Sequence, residues 1–123
     1  MCLRLNINAI KYIAEGNIKV FKVLIYRNGH LEAPVLNYTY TINTLNTLQY
    51  PLQLIKSWHK AYIEEGFYSF KYKSDAIDYA FNCFLAITKT CVVECIIPKD
   101  SEYYTDGKVI VSNKIIINKI LCA

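Results

Sequence analysis

Hydrophobic and polar positions alternate over much of this chain, and the alternation predicts strands more often than helices. Residues 18–27, IKVFKVLIYR, set Ile18 and Val20 against Lys19 and Lys22, with Phe21, Val23 and Ile25 on the other parity. That is the pattern of a strand buried on at least one face. Asn28-Gly29 follows, a strong turn pair. HLEAPVLNYTYTI then reads as a second extended strand, with Pro34 confining it to an edge or forcing a break. Residues 18–42 are therefore expected to form a β-hairpin. In the next stretch Pro51 suits a first helical position, and Leu52, Ile55, His59 and Tyr62 recur at spacings of three and four. Residues 43–63 are thus read as a short amphipathic helix or a structured loop.

The segment EEGFYSFKYKSDAIDYAF carries two periods in succession. Gly66 permits a sharp turn, after which Phe67 and Ser69 face one side of a strand and Tyr68 and Phe70 the other. Ser74 is a good N-cap and Asp75 suits the positive end of a helix. Ala76, Ile77, Ala80, Phe81, Phe84 and Leu85 then recur with helical period, predicting an amphipathic helix over 75–86 that lies on the sheet. CVVECIIP, residues 91–98, reads as a buried strand with Glu94 as its one charge. KDSEYYTDG reads as turn material, and KVIVS and KIIINKIL as final strands with a bend at Ser112-Asn113. The fold class expected is α+β, a mostly antiparallel sheet with one main helix on a face. Phe81, Phe84, Ile96 and Ile116 are expected in the core.

Composition narrows the class. The 123 residues suit a single domain, 54% hydrophobic and 20% charged, with 11 tyrosines. Tyrosine favours half-buried strand positions, and also interfaces and ligand pockets. The net charge is +4, but only Arg4 and Arg27 among 14 basic residues are arginine. That argues against a long nucleic acid and for a small anion. Five cysteines, an odd number, and a first segment unlike a signal peptide suggest reduced thiols in the cytoplasm. Cys91 and Cys95 on one strand would lie ~13 Å apart, too far for a disulfide. No apolar run reaches 18 residues, so no membrane partner is expected.

Candidate chemistry is sparse. Cys2 would become a terminal nucleophile beside its own amine if Met1 were removed, or is simply a small apolar residue. His30 and His59 match no metal-ligand spacing. Asp75 and Asp78 fit a helix start and a solvent face. No nucleotide-binding glycine motif or nucleophile elbow is present, and no cofactor is implied. Tyr103 and Tyr104, near Lys99 and Lys108, could stack a base and hold a phosphate, or plug the end of the sheet.

The start MCLRL, the entry IAEGNIKVFKVL, the segment EEGFYSFKYKSDA and the ending VVECIIPKDSEYYTDGKVIVSNKIII together resemble a family of small phage and prophage proteins of gut bacteria. The likeness spans the chain except about residues 43–62. Tyr68 stands where that family usually has His, Asp100 where it has Gly, and APVLNY where it tends to SPY. The resemblance implies a role against the host or in host takeover, by analogy with phage proteins that sequester nucleotide signals or block defence proteins. Two readings, both cytoplasmic and non-catalytic, stand ahead of a third, a small enzyme with Cys2 as its nucleophile. One is a binder of a small nucleotide-like anion, with a pocket of Lys22, Tyr26, Tyr38, Phe67, Ser69, Tyr103, Tyr104 and Ser112, completed if need be by a homodimer. The other is an inhibitor that grips a host defence protein through a tyrosine-rich face.

Overall fold

The structure, a computed structural model, describes residues 3–5, 9–27, 30–32, 39–57, 60–63, 65–83 and 90–122. It is mostly antiparallel sheet with a single described helix. The strands are β1 (Leu3–Leu5), β2 (Tyr12–Ile13), β3 (Ile18–Arg27), β4 (His30–Glu32), β5 (Thr39–Tyr40), β6 (Leu45–Thr47), β7 (Leu54–Ser57), β8 (Lys60–Ile63) and β9 (Phe67–Phe70). The helix α1 (Lys73–Cys83) leads to β10 (Thr90–Ile97), β11 (Glu102–Thr105), β12 (Val109–Ser112) and β13 (Lys114–Cys122). The larger sheet runs β2-β11-β12-β9-β3-β10-β13-β6, with β4 joined to β3 and β5 to β4, and β1-β8-β7 forms a smaller one.

Chain connectivity forces the larger sheet to roll. β12 and β13 are separated by Asn113 alone, yet β9, β3 and β10 lie between them in the ladder. Laid flat, that gap would be ~19 Å at ~4.8 Å per strand, and the two Cα steps across Asn113 span under ~8 Å. The sheet therefore wraps round, and Asn113 sits at the seam. Its N–H donates to the Glu102 carbonyl at 3.1 Å, its Oδ1 accepts from the Glu102 N–H at 2.8 Å, and its carbonyl accepts from Leu48 N–H at 2.9 Å.

The rolled sheet buries its inner face, where Val20, Leu24, Leu31, Tyr40, Phe67, Cys91, Val93, Cys95, Ile97, Ile110, Ile115 and Ile117 form one cluster. The outer face has two covers. The smaller sheet and Leu52 close over Tyr104 and Val111, with Tyr68 packed against them. The helix α1 closes over Val23 and Val92. The aromatic strand β9 thus has a core on each side, Phe67 inside and Phe70 under the helix, as its alternation predicts.

Several expectations need correction. The helix buries Ala76, with Tyr79 and Ala80 packed beside it, whereas Phe81 is 76% exposed and Ile77 also faces outward. A small residue at the contact lets the helix come close to the sheet, and Tyr79 then lies against Phe70 with ring centroids 5.4 Å apart. Ser74 lies inside the first turn; the Tyr72 carbonyl accepts the first bond, from Ala76. Ile96 and Ile116 face each other across β10 and β13 on the parity opposite the inner core, and both are half-buried. Phe84, Leu85, Asn28, Gly29 and Pro34 lie outside the described residues, although Arg27 pairs with His30 as the hairpin requires. The extended run after His30 is two short strands, β4 and β5, paired antiparallel.

Residues 54–57 and 60–63 are strands rather than a helix. Ile55 pairs with Tyr62 across β7 and β8, and β8 pairs with β1. The alternation of KAYI, with Ala61 and Ile63 fully buried, outweighs the three-and-four spacing that runs through Leu52. EYYT is also a strand, β11. Gly66 serves close packing more than backbone freedom: a Cβ there would run into Val111 Cγ2 and lie 3.1 Å from Leu52 Cδ2.

Candidate functional site

The eight residues expected to line a pocket are divided by the strand period. Lys22 shares the parity of Val20 and Leu24, so β3 aims its ammonium into the inner core and not, as the alternation with Ile18 and Val20 suggested, away from it. Phe67 and Ser69 of β9 and Ser112 of β12 face the same interior, and Tyr103 packs against that cluster. Tyr104, one residue along β11, is turned to the opposite face with Leu52, Ile63 and Val111. Neighbours on a strand cannot share a face, so the two tyrosines do not form one platform. The side chain of Tyr26 and all of Tyr38 lie outside what is described, as do Cys2 and His59.

The geometry around Lys22 follows from a break in the ladder. β3 pairs with β9 only at Phe21↔Phe70, and further along it pairs with β4 instead. Lys22 sits beside that break, and its Nζ donates to the main-chain carbonyl of Tyr68. The Tyr40 ring lies under the ammonium, 5.3 Å from Nζ to the centroid, and packs tilted on Phe67 at 5.8 Å. Burial pulls the Lys22 pKa down from 10.5 to about 8, against a smaller upward pull from Cys95. Burial pushes the Cys95 thiol up to about 12; Lys22 opposes that and Glu94 adds to it. Cys91 and Cys95 are both buried on the inner face.

The hydroxyls nearby are already engaged. Ser69 Oγ donates to the Ile110 carbonyl at 3.3 Å and Ser112 Oγ to that of Lys114 at 3.0 Å. Lys22, Phe67, Ser69 and Ser112 are each at least nine-tenths buried. The cluster is a charged knot inside a packed core, where a ligand would have to part the sheet to enter.

Tyr68 of β9 packs against the cluster under the smaller sheet. Its hydroxyl donates to the carbonyl of Ile63, pinning β9 to the smaller sheet. That is a structural bond across two sheets. Among the described residues no group of His, Cys, Asp and Glu could hold a metal ion, and His30 lies exposed on β4.

Two features escaped the sequence. One is Tyr40, which contributes the ring beneath Lys22 from a strand of two residues. The other is an open cavity of about 300 Å³ lined by Tyr50, Pro51, Gln53, Ile55 and Glu65, none of them among the eight. A helix over 51–62 would have hidden it. No helix among the described residues is long and apolar enough to cross a membrane. Compared with protein-family models, with curated proteins and with solved structures, the chain shows no significant match.

Proposed function

We propose that this chain is a non-catalytic binding protein that grips a host protein through the outer face of α1, in the phage accessory setting that its sequence resembles. The observation that carries this reading is the exposure of Phe81, 76%, with Ile77 one turn earlier on the same face and Tyr72 at the helix start. A solvated helix face is ordinarily polar, and large apolar side chains left in water there mark contact surfaces. Exposed aromatics are the side chains from which interface hot spots are built. The setting itself, the cytoplasm of an infected or lysogenic bacterium, rests on the resemblance. The test is affinity capture from a bacterial host lysate with wild type and Phe81→Asp compared. A protein held by wild type and lost by the variant, with unchanged melting, supports the reading; equal capture by both overturns it.

A second reading keeps the small nucleotide-like anion. It draws on the convergence of Lys22, Tyr40, Phe67, Ser69 and Ser112 on one inner face, and requires the sheet to part beside the break between β3 and β9 for the ligand to enter. Such a ligand would raise the melting temperature of wild type and not of Lys22→Met, because a ligand that binds only the native state stabilises it. Titration with a panel of cyclic and linear nucleotides decides between the two readings: heat with none of them leaves the protein-binding one.

A further inference from the structure

We propose that two copies of this chain pair through the free edge of β2, in a two-fold antiparallel contact that carries the larger sheet from one copy into the next. This surface is distinct from the α1 face and the inference stands apart from the functional reading. β2 is the terminal strand of the sheet, paired on one side with β11 through Tyr12↔Tyr103 and Ile13↔Glu102. The phase of its main chain is fixed by Ala14. Its N–H donates to the Ser101 carbonyl at 2.8 Å and its carbonyl accepts from Asp100 N–H at 2.8 Å, so both groups of Ala14 point to the β11 side. Main-chain groups alternate along an extended strand. Ile13 and Lys11 therefore aim their N–H and C=O groups outward, where among the described residues no strand meets them.

The side chains at this edge are apolar and open. Ile13 is 52% exposed, with Ile10 and Tyr12 also largely in water. Natural edges are usually guarded by lysine, proline or a bulge. The guard here is Lys11, which is drawn back to Glu102 at 3.5 Å.

The edge is also complementary to itself. A two-fold axis through Ile13 sets Ile13 against Ile13 of the second copy, each donating its outward N–H to the other's carbonyl. The same operation sets Lys11 opposite the second copy's Glu15. Glu15 is exposed and makes no ion pair among the described residues. Opposite charges at facing positions of an antiparallel pair favour that register. An isologous contact of this kind closes at two copies.

The edge is short, so the contact falls in the small-area class and its dissociation constant is expected on the order of 100 µM at low salt. Sedimentation velocity from ~10 µM to ~1 mM, a span that brackets that constant, should show a concentration-dependent shift from monomer to dimer. Ile13→Pro removes the outward N–H while breaking no bond to β11, and should abolish the dimer. Glu15→Lys brings like charges together and should weaken it about tenfold, an effect that fades as salt is added. Both variants should melt as wild type does. A wild type that stays monomeric throughout, or a dimer equally strong in Glu15→Lys, overturns the proposal. A dimer-negative wild type that binds an added extended peptide at this edge would also overturn it, assigning the edge to a different partner.

Discussion

Lys22 and Asn46 are equally buried, each 6% exposed, and the fold meets their polarity in opposite ways. Asn46 lies on β6 near the seam. Its Oδ1 accepts from Thr41 N–H at 3.4 Å, and its Nδ2 donates to the carbonyls of Thr41, Thr44 and Ile115 at 3.3, 3.1 and 3.3 Å. The amide organises a turn around itself, with Asn43 held in the left-handed region at φ 58°, and ties that turn to β13. Lys22 has a full charge to satisfy and finds one carbonyl and the face of a ring. Burial of a neutral amide with its bonds made costs little, whereas burial of an ammonium so thinly partnered costs several times more. Asn46 is thus a structural hub, and Lys22 is a charge that the fold tolerates.

The largest effect should come from breaking the hub. Asn46→Leu removes the bonds to the Thr41 N–H and to the Thr41, Thr44 and Ile115 carbonyls, of which the one to Ile115 is buried, and should cost about 2–3 kcal/mol, as the loss of partners for buried polar groups does. Urea denaturation measures it. A loss under about 1 kcal/mol would mean that the turn is held by its backbone and that the contrast with Lys22 is false.

Removing the tolerated charge should do the reverse. Lys22→Met keeps the stem, removes the ammonium and should raise stability at pH 7 by about 1–2 kcal/mol, in the manner of other buried charges replaced by apolar side chains. The pH dependence gives the sharper test. Lysine titrates near 10.5 in the unfolded chain and Lys22 near 8 in the folded one. Between those values the folded state binds fewer protons, so stability rises with pH. Cys95 acts oppositely: its thiol titrates at 9.0 unfolded and about 12 folded, so stability falls with pH through that window. Wild type should gain about 1 kcal/mol from pH 8 to 9. It should then level off while the two groups offset each other, and lose stability above pH 10.5. In Lys22→Met the rise should vanish and the fall remain. A rise that survives the substitution would locate the titrating group elsewhere.

A smaller gain should follow from Asp100→Gly. Asp100 adopts φ 72° in the turn where Ser101 N–H reaches the Pro98 carbonyl at 3.2 Å. The left-handed region is costly for residues with a Cβ and least so for Asp and Asn. Glycine should stabilise by about 0.5 kcal/mol, read as a rise in melting temperature. A fall would mean that the carboxylate contributes more than the backbone conformation costs.

Much of the sheet was legible in the sequence because strands with one face in a core alternate. The parity of Phe67 and Ser69 against Tyr68 and Phe70, the buried run from Cys91, and the bend at Asn113 could all be read from local pattern. The roll of the sheet could not, because it depends on β9, β3 and β10 lying between two strands that are adjacent in sequence. The site was legible in part for the same reason. Period two places Phe67 with Ser69 on β9, and Lys22 with Val20 and Leu24 on β3 once its parity is counted correctly, and the same rule, once EYYT is a strand, separates Tyr103 from Tyr104. Nothing local in the sequence marks Tyr40 as the ring beneath Lys22, since that contact joins two strands whose order in the sheet is set by distant pairings.

The smallest effect, and the one that bears on function, is expected at Phe81. A helical period alone cannot say which of two overlapping stripes faces the sheet: Ala76, Ile77, Ala80 and Phe81 fit one, and Ala76, Tyr79 and Ala80 fit the other. The fold takes the second, where a fully buried Ala76 meets Val23 and Val92 and Tyr79 lies on Phe70. Phe81 is left outside at 76% exposure. A core phenylalanine cut to alanine costs about 3–5 kcal/mol, whereas an exposed one away from such contacts stays within about 0.5 kcal/mol. Phe81→Ala should therefore leave the urea midpoint almost unmoved, with Ala76→Leu destabilising through overpacking in the same assay. The pair separates the two stripes. If Phe81→Ala unfolds the protein and Ala76→Leu does not, the helix is rotated from the arrangement described, and the exposed face proposed to meet a partner is lost with it.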